Sequence, residues 1–177
     1  MSAVHDIFIA TDDELAEVDV EWGVWPALES PSQERHGTAT TRRWWQRGRA
    51  EPRPTAAPRT EPLHPTVDAK GTGDIPLVTL EMLLAGERID DVDLVSDPIR
   101  VGDLEEGPWL FGVNERLVRR LADAHEGQVA EIVGPWVATE EMHGWSEDDA
   151  LTLLVELADL FRRAQAEHKR VFRWTSL

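Results

Sequence analysis

The sequence predicts an α+β fold: a small, mostly antiparallel sheet covered by several helices, with a long Arg/Pro-rich loop. Three observations carry that expectation. Short β-prone runs stand near both ends of the chain, at 6–10 and 170–177. The ordered stretches between them show mostly helical periodicity and helix-capping residues. Residues 30–66 hold six of the eleven prolines and no Ile, Val, Phe or Met, with Leu63 the one large aliphatic. So little apolar surface cannot offset the entropy lost on ordering. At 177 residues the chain suits one domain. We divide it into a strand–helix part at 1–29, a flexible insertion at 30–66 and the main body at 67–177.

In chain order, Ile7, Phe8 and Ile9 make a strand that leads into Thr11-Asp-Asp-Glu14. That spacing is a capping box ahead of Leu15, Ala16 and Val18. The run 67–74, with Gly71 and Gly73, reads as a turn. Pro76 suits the first turn of a helix running to Ala85, with Gly86 as its stop. Residues 89–95 and 109–113 are extended candidates. Asn114 is an N-cap for a helix whose apolar face is Leu117, Val118, Leu121 and Ala122. A further helix is expected over 127–133, stopped near Pro135. Ser146, with Asp149 three residues on, opens the longest helix, where Leu151, Leu154, Val155, Ala158, Phe161 and Ala164 follow the 3.6-residue period. Terminal strands separated by helical sequence imply that the two ends of the chain lie side by side.

Composition removes several classes of function. There is no Cys, hence no disulfide frame, thiolate zinc site or cysteine nucleophile. The N-terminus has no basic stretch before its apolar run, and the most apolar internal segment, 75–86, is too short to span a bilayer. A cytoplasmic protein with no membrane association is the expectation. Arg supplies sixteen of the eighteen basic side chains, which together with many Ala and Pro reads as a GC-rich genome. No Gly-x-Ser-x-Gly, Gly-x-Gly-x-x-Gly or His-Glu-x-x-His pattern occurs, and Lys70 stands on the wrong side of its glycines for a phosphate loop. The six His are scattered. Neither a cofactor nor a metal is expected, and no residue is assigned a catalytic role.

Charge is the strongest signal. The chain carries 34 acidic and 18 basic side chains, a formal net charge of −16. Residues 35–59 contain seven Arg and one acid, Glu51, a local net of +6, so the remainder carries −22. A surface of that sign repels nucleic acid and attracts a basic protein. Two segments are candidate contact sites. In 42–49, Arg42, Arg43, Trp44 and Trp45 combine cations with stacking surfaces, as a single-stranded nucleic-acid contact would. The alternative is a loop docked on the acidic body. In 136–149, Trp136, Glu140, Glu141, His143, Trp145 and Asp148 place carboxylates beside an imidazole and two indoles. These could serve a partner or acid–base chemistry. The structural alternative is helix capping, since acids in a first turn complement the helix dipole. Trp22, Trp25, Trp109, Trp136, Trp145 and Trp174 lie in segments expected to be ordered, and for each a core or rim role is the expectation, with a binding hot spot as the alternative.

The runs 76–86, Leu117-Val-Arg-Arg-Leu-Ala-Asp, Val137-Ala-Thr-Glu-Glu-Met and 160–172 resemble the YfbM-like family of small bacterial proteins. Its members similarly end in a helix with an aromatic, an Ala and a basic tail before a last strand. The resemblance covers 75–177 and implies an α+β fold without an established activity, so no functional residue carries over. The Arg/Pro insertion and the acidic excess depart from that family. The function expected from the residues is an acidic protein-interaction module, of the immunity or antitoxin type, that binds a basic partner protein. The alternatives are an enzyme using carboxylates and His143, and a nucleic-acid adaptor using 42–49.

Overall fold

The computed structural model describes residues 4–18, 62–69, 72–86, 98–101 and 107–176. The expected strand at 89–95, and Arg42, Arg43, Trp44 and Trp45, lie outside the described residues.

The first strand, β1 (Val4–Ala10), passes through Thr11 into α1 (Asp12–Glu17). The capping box is complete: the Glu14 amide donates to Thr11 Oγ1 at 3.1 Å, and the Thr11 amide donates to Glu14 Oε2 at 2.8 Å. Then come β2 (Thr66–Asp68), α2 (Asp74–Ala85), β3 (Arg100–Val101) and β4 (Trp109–Gly112). Three further helices follow, α3 (Glu115–Asp123), α4 (Glu126–Val137) and α5 (Glu147–Ala166), with a 3-10 turn at Glu140–Met142 before α5. The last strand is β5 (Arg170–Ser176).

These strands form an antiparallel sheet of order β2-β1-β5-β4-β3. The two ends of the chain pair along their whole length, from Val4 opposite Ser176 to Ala10 opposite Arg170. Strand alternation then divides the apolar side chains. Ile7, Ile9, Val67 and Val171 join the main core with the helices, whereas Phe8, Ala10, Leu110, Phe172 and Trp174 form a second cluster with Leu15 and Val18. In that second cluster the Phe8 and Phe172 rings lie 5.7 Å apart.

Several expectations are corrected. Thr66, placed in the insertion, pairs with Phe8, and Val67, placed in a turn, pairs with Ile7. A three-residue strand is too short to show a period of two. The helix expected to stop near Pro135 runs on to Val137. Pro135 lies in the last turn, so only the carbonyl of exposed Glu131 loses its helical donor, and water can replace it. In α5 the buried stripe is Ala150, Leu153, Leu154, Leu157, Ala158, Leu160, Phe161 and Ala164, while Leu151 and Val155 are 37% and 45% exposed. Two apolar stripes share that helix, and packing selects one of them.

Side chains fasten the helices at their ends. Arg162 donates from Nε to the Ala122 carbonyl and from Nη2 to the Ala124 carbonyl, closing the C-terminus of α3. Buried Glu81 on α2 meets Arg116 on α3 at 3.1 Å. The end of α5 has the paired bonds of a Schellman cap, His168 amide to Gln165 carbonyl and Lys169 amide to Ala164 carbonyl. His168 occupies the left-handed position there, with φ 55°. Lys169 Nζ reaches Glu14 at 3.1 Å and Glu167 at 3.3 Å, tying the start of β5 to α1.

Candidate functional site

The region between α4 and α5 separates the sequence candidates by burial. Trp136 is fully buried, and its indole N–H donates to the Pro76 carbonyl of α2 at 2.9 Å. It is a core residue, which removes it from the candidate contact surface. Glu140, Glu141, His143 and Asp148 are all exposed. No hydrogen bond or ion pair among the described residues joins His143 to any of the three carboxylates, so these groups do not converge into an acid–base site. The described residues also contain no group of three or more His, Asp or Glu placed to hold a metal ion.

Trp145 is positioned differently. After the 3-10 turn, Gly144 takes φ 92°, a left-handed conformation open to glycine without steric cost. The chain reverses there, and the Trp145 amide donates to the Met142 carbonyl at 3.0 Å. Part of the half-buried indole packs on the main core. The rest lines an open groove of about 450 Å³ together with Asp68, Asp149, Thr152, Leu153 and Glu156.

The local sequence fixes this wall. Ser146 caps α5: its Oγ accepts from the Asp149 amide at 3.1 Å and donates to Asp149 Oδ2 at 2.6 Å. That exchange holds the Asp149 carboxylate at the first turn. Thr152, Leu153 and Glu156 follow at three, four and seven positions beyond Asp149, so one face of α5 carries all four. Asp68 comes from the outer strand, β2. No Lys or Arg among the described residues lines this groove. Asp149 and Glu156 beside an indole, with no Lys or Arg among the described lining residues, favour one class of ligand, a guanidinium or ammonium group. Such a cation gains charge-assisted hydrogen bonds from the carboxylates and an attractive contact with the ring.

A second polar cluster lies inside the molecule, on the helix-covered face of the sheet. Arg173 of β5 is 3% exposed, pairs with Asp74 at the start of α2, and stacks over the Phe111 ring at 4.7 Å from its centroid. His5 Nδ1 lies 3.1 Å from Thr175 Oγ1 across the β1–β5 ladder. Burial, and then the nearby Arg173 charge, hold the His5 imidazole below its ordinary value, with Asp74 acting weakly in the other direction. These ions are spent on one another. The cluster joins the sheet to α2.

Of the sequence candidates Trp145 lines this groove, while Asp68, Asp149 and Glu156 were not among them. The spacing of Asp149, Thr152 and Glu156 on a capped helix was a readable polar stripe. Asp68 had no such signal, because only strand pairing brings it there. Comparisons with protein-family models, with curated proteins and with solved structures give no match to this chain. Among the described residues, no helix is long and apolar enough to cross a membrane.

Proposed function

We propose that this chain is a protein-interaction module that binds a basic partner protein in the cytoplasm, as a stoichiometric inhibitor of the immunity or antitoxin type does. The observation that carries the reading is the groove at Trp145, where the α5 carboxylates Asp149 and Glu156 stand beside an indole. An Arg or Lys side chain of the partner is its occupant. Exposed Glu140, Glu141, Glu147 and Asp148 extend the same sign of charge around it. With a net charge of −16, the chain attracts a basic protein before contact and so speeds encounter. A partner whose own ligand is anionic, such as a nuclease, would meet carboxylates where it expects phosphates. The likeness of 75–177 to the YfbM-like family is part of this proposal for the fold alone.

The test is affinity capture from the native host with the tagged full chain, at low and at high salt. The expected result is one basic protein recovered in stoichiometric amount, with binding that weakens as salt rises. Recovery should fall for a Trp145→Ala, Glu156→Gln double variant. Capture of no basic protein, or of one whose binding ignores ionic strength, contradicts the reading.

A further inference from the structure

A second groove, of about 400 Å³, runs along the opposite flank of α5, between that helix and α4. Its floor is apolar and built in: Val129 and Ala158 are 3% and 1% exposed. Leu151 and Val155 form one wall and are 37% and 45% exposed, the most exposed large aliphatic side chains on the described helices after Ile75. They occupy positions i and i+4 of α5, and Ala158 and Arg162 continue the line at i+7 and i+11. The trough is therefore straight and parallel to a helix of 20 residues, about 30 Å long. A trough of that shape accepts the apolar ridge of another helix.

The rim says what kind of helix. Glu126 and Asp159 line the groove. Beyond the lining, in the first turn of α5, Glu147 Oε1 lies 3.7 Å from where a side-chain carbon on Gly134 of α4 would be. Exposed Asp148 precedes Leu151 by one turn. The single cation in the lining, Arg162, is committed: it donates to the Ala122 and Ala124 carbonyls and to Asp159 at 2.6 Å. That last bond engages Asp159 as well, so the charge of the setting comes from Glu126 and from the chain's net charge of −16. An apolar trough in that setting complements an amphipathic helix whose apolar stripe is flanked by Lys or Arg.

We propose that the α4–α5 groove seats an amphipathic, basic helix of the partner protein. The inference rests on the proposed binding of a basic partner and assigns that partner a helical contact, separate from the cation site at Trp145. The probe is a synthetic Lys/Leu amphipathic peptide of about 18 residues, five helical turns. Its controls are the same composition scrambled and the same pattern with Glu in place of Lys. Binding to the full chain is measured by calorimetry, with circular dichroism reporting helix gain in the peptide.

The expected result is saturable one-to-one binding with helix gain, weakened at least about tenfold by Val155→Asp and by Leu151→Asp, equivalent to ~1.4 kcal/mol. Both positions are exposed, so the variants should keep the parent melting temperature, and that is checked first. The Glu peptide should not bind. If the scrambled peptide binds equally well and Val155→Asp has no effect, the groove assignment is overturned while the acidic-surface reading survives. If the Lys and Glu peptides bind alike, the groove stands and the preference for a basic partner falls. Concentration-dependent dimerisation of the free chain that Val155→Asp abolishes would assign the groove to a second copy, and so overturn the proposal.

Discussion

The buried ions of the sheet and the exposed acids at the start of α5 differ in what surrounds each charge. Arg173 has Asp74, Phe111 and almost no water, and burial, then the Arg173 charge, lower the pKa of His5 beside it. Asp149 and Glu156 have a groove, an indole and no lining cation. The first set is complete within the chain and serves the fold. The second is open to a cation that another molecule would supply under the proposed function. The same contrast separates two tryptophans nine positions apart, one committed to a carbonyl of α2 and the other lining the groove.

Trp136→Ala should have the largest effect on stability. Emptying a fully buried indole site and leaving the core around it to relax costs roughly 3–5 kcal/mol, measured by urea unfolding. Trp145→Ala should cost less than half as much, because its ring is already partly in solvent. Equal costs would erase the distinction between them.

Next in size is Asp74→Asn, which leaves the Arg173 guanidinium buried without its counter-charge. About 3 kcal/mol is expected, somewhat below a fully enclosed pair because Asp74 itself is 36% exposed. Glu156→Gln should change stability by less than about 0.5 kcal/mol while weakening partner binding. A large stability loss at Glu156 would place that carboxylate with the structural ions.

The pH dependence sharpens the comparison further. The folded His5 imidazole titrates below its unfolded value of about 6.5, so the unfolded chain binds the proton more readily. The contribution of neutral His5 to stability is fully present above that value. It is lost as pH falls through and below it. The melting temperature of wild type relative to His5→Gln should therefore decline between neutral pH and pH 5. An unchanged difference would mean that neither burial nor Arg173 lowers the His5 pKa in the folded chain.

Much of the fold was legible because local chemistry and tertiary packing agree along most of the chain. The Thr11–Glu14 box, the Asn114 and Ser146 caps, the Gly86 stop and both terminal strands can each be read within a few residues. The short strands β2 and β3 could not, because their order comes from partners distant in sequence. The choice between the two apolar stripes of α5 is likewise made by α3 and α4, not by the helix itself. For the site, acidity was visible, and a core or rim role was readable for Trp136 and Trp145 alike, but which of the two is buried was not. A Trp nine residues away in the same acidic segment looks identical until the carbonyl that accepts its N–H is known. The pairing of Arg173 with Asp74 was equally hidden, since ninety-nine residues separate them.

The most direct test of the central claim is an amide and indole NMR titration of the full chain with a short Arg/Gly peptide at physiological ionic strength. The groove account predicts saturable shifts concentrated on Gly144, Trp145, Thr152 and Glu156, including the Trp145 indole N–H, and their loss in Glu156→Gln. Weak shifts scattered over the exposed acids of every helix, with none at the Trp145 indole, would contradict it.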